Sequence, residues 1–166
     1  MATSTEQYEI SLIEVGRVLS DYAKRFEELI KRKIQDEDMI ATGNLLASIS
    51  TEVNLDGVVY KVILNSKEYI RYLESGTKPH YPPQEPIIKW IRAKKLPTRE
   101  YCGGNLPTEK QLAFLVQRKI GLEGTQPRPI IATTVKELNE QYMPRLLEAL
   151  KQDIYNSIPT ISITIK

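Results

Sequence analysis

Apolar side chains recur at intervals of three and four residues through the first part of the chain. Between Thr5 and about Ile34 the repeating positions are Leu12, Val15, Leu19, Tyr22, Phe26 and Leu29. This spacing places them on one stripe of a long helix. We expect the stripe to pack against the protein's own sheet, although such a regular stripe also suits a short coiled-coil seam with neighbouring copies.

Alternating apolar and polar residues then indicate strands. The alternation runs from Ile49 to Leu55, and the Asp56-Gly57 pair that follows is a strong signal for a hairpin turn. We therefore predict an antiparallel hairpin over about residues 48–64. Its second strand has apolar residues on both faces, which is typical of a strand covered on both sides.

The end of the sequence alternates in the same way, with Ile161, Ile163 and Ile165 on one face. This pattern predicts a C-terminal strand over residues 160–165. Such an apolar strand must pair with something. It either completes the protein's own sheet or is added to the sheet of a neighbour.

A turn rich in proline occupies the middle of the chain. A short helix is expected to end at Gly76, and the residues from Lys78 to Pro83 cannot continue it because three prolines fix the backbone and lack amide hydrogens. A second helix then begins at Pro83 or Pro86 and carries Trp90. Everything else in the chain can be interpreted as a framework around this turn.

Two further helices complete the prediction. An irregular loop from Leu96 to Pro107 is a candidate contact arm, and a helix then begins with the capping box of Thr108 and ends at Gly121. A last helix over roughly residues 130–154 contains Pro144, which should kink or split it. Its inward positions are expected to be Ile131, Val135, Leu138, Tyr142, Leu146 or Leu147, Leu150 and Ile154.

Together these elements predict an α+β fold in a single domain over residues 1–166. Its antiparallel sheet packs against the long N-terminal helix and three to four further helices. With 166 residues, 41% of them hydrophobic and 27% charged, the composition is ordinary for a globular protein. The net charge of +2 is too small to indicate a nucleic-acid-binding protein by itself.

The sequence offers little support for catalysis. His80 and Cys102 are the single histidine and the single cysteine, and no neighbouring pattern supplies the partners that a general base or a nucleophile requires. We expect no enzyme activity, no metal site and no cofactor. No segment approaches the ~20 apolar residues of a membrane span, so no membrane partner is expected.

Two charged features remain as candidates. The densest basic region consists of Lys89, Arg92, Lys94, Lys95 and Arg99. It is either a solvated helix side, or a surface facing phosphates in a DNA channel or carboxylates on a partner ring. The second feature is Glu74, whose carboxylate is placed to accept backbone amides of the turn and fix its shape.

An ordered set of motifs resembles a known family. It comprises Ala41-Thr-Gly-Asn-Leu-Leu-Ala-Ser-Ile, Tyr72-Leu-Glu-Ser-Gly-Thr-Lys-Pro-His-Tyr-Pro-Pro, Ile88-Lys-Trp-Ile-Arg, Leu112-Ala-Phe-Leu-Val-Gln-Arg-Lys-Ile and Gly124-Thr-Gln-Pro-Arg-Pro-Ile-Ile. In this order they resemble the signature of the minor tail or tail-completion proteins of tailed bacteriophages. The resemblance covers about Thr42 to Val135, and Ile130 stands where that family usually has phenylalanine.

The resemblance implies a structural virion protein that joins the phage head to the tail. Its partners would be copies of itself in a ring, commonly of six, the head connector or adaptor protein and the tail-tube protein, and genomic DNA would pass through without specific binding. It would be assembled in the cytoplasm of the host bacterium and act by assembly, not catalysis. The expected interface and turn residues are Tyr72, Glu74, Gly76, Thr77, Lys78, Pro79, His80, Tyr81, Pro82, Pro83 and Trp90.

Two other classes of function compete with this hypothesis. A small DNA-binding module would use the basic helix around Lys89 to Arg99, although a stronger positive face would be expected of it. A small hydrolase would depend on Cys102 and His80. Tight, salt-sensitive DNA binding by a monomer would favour the former, and hydrolysis that thiol reagents abolish would favour the latter.

Overall fold

The computed structural model describes residues 11–36, 43–56 and 59–158. The helices are α1 (Ile13–Asp36), α2 (Asn44–Ser48), α3 (Ile70–Ser75), α4 (Gln84–Ala93), α5 (Arg99–Cys102), α6 (Glu109–Glu123) and α7 (Ile130–Ser157), and the strands are β1 (Ser50–Asp56) and β2 (Val59–Asn65). The predicted α+β class is confirmed. The described residues contain six helices besides α1, more than predicted, and three of the six have only four to six residues.

The larger core forms where α1 packs antiparallel to α7 and against one face of the hairpin. Its buried residues are Tyr22, Phe26, Ile30, Ile34, Leu45, Ile49, Ile70, Ile130, Leu138 and Tyr142. The Tyr22 and Tyr142 rings meet edge to face at 5.3 Å between centroids. The predicted α1 stripe is correct in its middle, but Ile30 and Ile34 are buried at its end while Leu29 is only partly buried.

The hairpin has the predicted antiparallel pairing. Val53 pairs with Val62 in register, and Leu55 pairs with Tyr60. The expectation that both faces are covered is wrong at the turn end, where Val59 is 53% exposed on the face turned away from α1. The sheet of the described residues has two strands, β1 and β2. The predicted strand over residues 160–165 lies outside the described residues.

A smaller core lies between α4 and α6. Ile87, Ile91 and Ala113 are buried there, with Leu96 and Leu112 packed against them. The predicted irregular loop from 96 to 107 contains α5, and its ends are tied together because the Arg99 backbone N–H donates to the Pro107 carbonyl at 3.0 Å.

Both boundaries of α6 have a local cause. At the start, Thr108 and Gln111 form the predicted capping box, in which each side chain accepts from the other residue's backbone N–H. At the end the prediction is wrong, because α6 continues past Gly121 and ends at Gly124.

The last helix differs from its prediction in two ways. First, α7 runs unbroken through Pro144, so of the predicted kink or split the split does not occur. Pro144 lies on the exposed side of α7, while Tyr142 and Ala149 hold the opposite side against the core. Second, Leu150 and Ile154 point outward, and Ala149 and Asp153 are buried in their place. Of the alternatives Leu146 and Leu147, Leu146 is the partly buried one.

Candidate functional site

Two Gly-Thr-x-Pro segments pair with each other where the two cores meet. Thr77 and Thr125 form an isolated antiparallel bridge in which each backbone N–H donates to the other residue's carbonyl at 3.1 Å. Their hydroxyl oxygens lie 3.0 Å apart and share another hydrogen bond. We call the paired residues Gly76-Thr77 and Gly124-Thr125 the Gly-Thr bridge. It joins the chain after α3 to the chain after α6.

The backbone geometry of the bridge requires glycine at both positions. Gly76 has φ 68° and ψ −173°, and Gly124 has φ 73° and ψ −157°, a region that is essentially restricted to glycine. A Cβ on either residue would also lie closer than 3.0 Å to the backbone of the opposite segment. Each glycine therefore ends a helix and also allows two backbones to come into contact.

The proline turn that follows Thr77 is held against α6. The His80 backbone N–H donates to the Ile120 carbonyl at 3.3 Å, and the Gln117 side-chain amide donates to the Pro82 carbonyl at 2.7 Å. The Tyr81 ring lies directly over Gly121, where a Cβ would collide with it. The backbone of the turn is thus engaged inside the protein, and its side chains remain for a partner.

The predicted interface residues therefore have different surroundings. Those exposed to solvent are Tyr72, Lys78, Pro79, His80, Tyr81, Pro83 and Trp90. Gly76 is buried, and Glu74, Thr77 and Pro82 are partly buried. The exposed members include three aromatic side chains, of which Tyr81 is 66% exposed.

Glu74 binds backbone amides, as predicted, but they belong to α7 and not to the turn. Its two carboxylate oxygens accept from the Ile131 and Ala132 N–H groups, each at 2.8 Å. These amides lie in the first turn of α7 and have no partner within the helix. Within the turn, the Thr77 and His80 N–H groups donate instead to the Thr125 and Ile120 carbonyls.

A second carboxylate does the same for α1, and sequence reasoning missed it. Asp153 is only 1% exposed, and its oxygens accept from the Glu14 and Val15 N–H groups at 2.9 Å. A negative charge at a helix N-terminus also interacts favourably with the helix dipole. The one signal in the sequence is an acidic residue between the apolar positions Leu150 and Ile154.

The five predicted basic residues do not form one free surface. The Arg92 guanidinium pairs with Glu109 at 2.7 Å, and this bond raises the pKa of Arg92 above its ordinary value. Arg99 donates through Nε to the Leu106 carbonyl at 3.3 Å. Lys94 is partly buried, whereas Lys89 and Lys95 are exposed.

Charge is nevertheless distributed unevenly between the two parts of the protein. We call residues 76–128, which contain α4, α5 and α6, the α4–α6 unit. It carries ten Lys and Arg residues against four Asp and Glu, whereas the remainder of the chain carries thirteen against seventeen. The net charge of +2 is therefore the sum of +6 on the α4–α6 unit and −4 on the remainder of the chain.

The two residues considered for catalysis lie in different elements, His80 in the proline turn and Cys102 in α5. His80 Nδ1 lies 2.9 Å from the Lys78 carbonyl, and no hydrogen bond joins His80 to Cys102 in the described part of the chain. Cys102 is an exposed free thiol on α5. Residues 11–36, 43–56 and 59–158 contain no group of three or more His, Cys, Asp or Glu side chains that could hold a metal ion.

Exposed apolar side chains form two helical faces. The first, which we call the α7 stripe, consists of Met143, Leu147, Leu150, Ile154 and Ile158, which are 39–60% exposed. The second, which we call the α6 face, consists of Phe114, Leu115 and Leu122, which are 53–62% exposed. Beside the α6 face, an open groove of about 770 Å³ runs along Leu106 and Pro107, with Arg99 and Lys110 in its lining.

Comparisons with known proteins do not identify a family for this chain. No family model matches the chain, and no curated protein or solved structure matches it either. Among the described residues, no helix has the length and apolar character needed to cross a membrane.

Proposed function

We propose that this protein is a structural subunit of a tailed-phage virion that joins the head to the tail. In this proposal copies of the chain form a ring, of about six by the resemblance described above, between the head connector and the tail tube. The ring would act by assembly, sealing the joint and leaving a passage for the genome. Its place in the cell would be the virion, after assembly in the bacterial host.

The observation that supports the proposal most is the way the resembling segments meet. The two Gly-Thr-x-Pro motifs lie 48 residues apart in the sequence and form the Gly-Thr bridge. The proline turn and the Leu112 helix, which also carry the resemblance, pack against each other through Gln117 and Gly121. Three of the five resembling segments thus meet in one structural feature.

The surface properties are also those of a docking protein. The described residues offer exposed apolar faces on α6 and α7 and exposed aromatic side chains around the proline turn. Exposed apolar patches of this kind are typical of protein-protein contact sites. A rigid scaffold that carries such surfaces fits assembly better than catalysis.

Locating the protein in the phage particle tests the proposal directly. Antibodies against the chain, applied to purified particles and viewed by electron microscopy, should label the junction of head and tail. Deleting the gene should yield filled heads and separate tails that fail to join, and supplying the wild-type gene should restore whole particles. Complete, infectious particles that lack the chain would refute the proposal.

The second candidate function is a small DNA-binding module. The observation that favours it is the excess of basic residues in the α4–α6 unit, together with exposed aromatic side chains such as Trp90 and Tyr101. Aromatic side chains beside a basic groove suit single-stranded nucleic acid. Fluorescence anisotropy with labelled single- and double-stranded oligonucleotides would separate the two functions.

The salt dependence of that binding decides between them. A DNA-binding module should bind tightly as a monomer, lose affinity steeply between 50 and 200 mM salt, and weaken further in a Lys89→Glu, Lys95→Glu variant. A ring subunit that only surrounds DNA should bind weakly in both buffers. Lys136→Glu, outside the α4–α6 unit, changes the net charge by the same amount per substitution and serves as the control.

A further inference from the structure

The side of α1 on which the hairpin packs is fixed by Ala23. Its carbonyl accepts from Thr51 Oγ1 of β1 at 3.0 Å. The two preceding residues, Tyr22 and Asp21, both contact α7. Because successive helix residues are about 100° apart, Tyr22 lies between the hairpin side and α7, whereas Asp21 lies on the side turned away from the hairpin.

Two polar contacts then show which side of α7 faces the hairpin. The Tyr22 hydroxyl donates to Asn139 Oδ1 at 3.2 Å, and the Arg145 guanidinium pairs with Asp21 at 2.9 Å. Asn139 is therefore on the hairpin side of α7 and Arg145 on the far side. Met143 lies one helical turn after Asn139, and the rest of the α7 stripe follows at intervals of three or four residues. The stripe is thus an exposed apolar face beside the hairpin.

Of the two strands, β2 lies nearer the α7 stripe. Val62 and Leu64 in β2 pack against the larger core, which α1 and α7 share. The groove along β1 is instead lined by Lys24, which is about 200° around α1 from Tyr22 and so on its opposite side. A further strand beside β2 would therefore lie against the stripe, whereas a strand beside β1 would not.

The outer edge of β2 is open in residues 11–36, 43–56 and 59–158. Thr51 in β1 donates its backbone N–H to Glu27 at 2.9 Å, so this N–H points away from β2. Opposite residues of an antiparallel pair share their direction and the direction alternates along each strand. The N–H groups that point away from β1 are therefore those of Tyr60, Val62 and Leu64, and none of them donates to another backbone group in these residues.

A segment that turns back after α7 runs in the direction of β2. The helices α1 and α7 are antiparallel, whereas β2 follows α1. At the start of β2, the Tyr60 hydroxyl donates to the Leu12 carbonyl at 2.7 Å. At its end, Leu64 lies opposite Thr51, which contacts Ala23 further along α1.

The chain after α7 suits this open edge. Ile158 has extended backbone angles, φ −79° and ψ 123°, and Pro159 cannot continue the helix. As a strand, residues 160–165 would be about 20 Å long, close to the length of the seven-residue β2. They alternate isoleucine with serine or threonine and carry no charge.

We propose that residues 160–165 form a third strand parallel to β2 of the same chain, and that their isoleucines cover the α7 stripe. The polar residues between the isoleucines then share the exposed face of the sheet with Lys61. The strand comes from the same chain because Pro159 alone separates it from α7, which gives it a far higher local concentration than a neighbour's strand. This inference goes beyond the proposed function and does not depend on it.

Amide hydrogen exchange, followed by NMR on the full-length chain, tests the pairing. The Val62 and Leu64 N–H groups should exchange at least about 100-fold more slowly than in an unstructured chain. Ile163→Asp places a charge against the stripe and should accelerate both by about 10-fold or more. Ser162→Asp adds the same charge on the exposed face and should leave both rates within about threefold of wild type. The Ile63 N–H, which points toward β1, is the internal control.

A disulfide tests which chain supplies the strand. In a Cys102→Ser background, Leu150→Cys is combined with Ile163→Cys and oxidised at low protein concentration. Non-reducing electrophoresis should show a cross-linked monomer. Leu55→Cys with Ile163→Cys is the matched control, since Leu55 is an exposed leucine beside the other edge of the sheet, and it should give little cross-link.

Four results would overturn the inference. These are unprotected Val62 and Leu64 amides in wild type, equal effects of Ser162→Asp and Ile163→Asp, disulfide-linked dimers in place of a cross-linked monomer, and efficient cross-linking to Leu55→Cys. Wild-type exchange and the cross-link still decide if Ile163→Asp fails to fold. None of these results bears on where the chain lies in a phage particle, which the antibody labelling tests separately.

Discussion

The Gly-Thr bridge predicts that Gly124→Ala destabilises the protein much more than Gly103→Ala. The two glycines have nearly the same backbone conformation, with φ 73° and ψ −157° at Gly124 and φ 73° and ψ −163° at Gly103. They differ in their surroundings. A Cβ at Gly124 would collide with the backbone of Thr77 and Lys78, whereas nothing lies within 4 Å of a Cβ at Gly103.

The magnitudes follow from this difference. Forcing alanine into a glycine-only conformation costs about 1–3 kcal/mol, and both variants bear this cost. The collision at Gly124 is with backbone that cannot rotate away, and overpacking of this kind costs about 1–3 kcal/mol more. Gly124→Ala should therefore lose about 2–6 kcal/mol, a large fraction of the ~5–15 kcal/mol that stabilises a typical domain.

Urea unfolding measures the difference. Far-UV circular dichroism reports on all helices, and the fluorescence of Trp90, the chain's single tryptophan, reports on α4. With a slope of roughly 2 kcal/mol per molar urea, the unfolding midpoints of the two variants should differ by about 0.5–1.5 M. Gly76→Ala should behave like Gly124→Ala, because its Cβ would meet the backbone of Thr125. Midpoints of Gly124→Ala and Gly103→Ala that agree within about 0.2 M would refute the role assigned to the bridge.

Three other predictions concern individual residues of α1 and α7. Asp153→Ala should cost about 2–4 kcal/mol in urea unfolding because two partly buried amide donors of α1 lose their acceptor. A loss below about 1 kcal/mol would contradict this role. A hydrogen bond from Lys31, with others from Thr51, holds the pKa of Glu27 below its ordinary value of 4.5. The stabilisation from Glu27 should thus be complete above pH 4.5 and disappear as the pH falls through the lower folded-state pKa. Glu27→Gln should lose about 1 kcal/mol at pH 7 and flatten this acid dependence, with unfolding measured from pH 7 to pH 2. Pro144→Ala should increase the free energy of unfolding by about 1–3 kcal/mol, because it restores a helix hydrogen bond at an exposed position. The thermal midpoint should rise accordingly, and an unchanged midpoint would contradict the prediction.

The features that the sequence predicts well are those whose cause is local. The Thr108 capping box lies within four residues, and both of its hydrogen bonds are present. The alternation on either side of Asp56 leads directly to the observed register of the hairpin. In both cases the residues that determine the structure are neighbours in the chain, so no tertiary information is needed.

The errors arise where a distant contact overrides a local signal. Gly121 has the character of a helix-ending residue, but its function is to leave room for the Tyr81 ring, forty residues earlier in the chain. Pro144 is a helix breaker by its own chemistry, and it is tolerated because the packing of α7 against α1 holds the helix on both sides of it. Neither contact can be inferred from the spacing of residues in one segment.

The sequence predicted the segments that make up the site but not which of them contact each other. Both Gly-Thr-x-Pro motifs are evident in the sequence, whereas their contact joins residues 48 apart. The Asp153 cap joins residues 139 apart, and burial of this carboxylate turns Leu150 and Ile154 outward, against the expectation from apolar spacing. The exposed α7 stripe is thus a consequence of a polar residue taking an inner position on the helix.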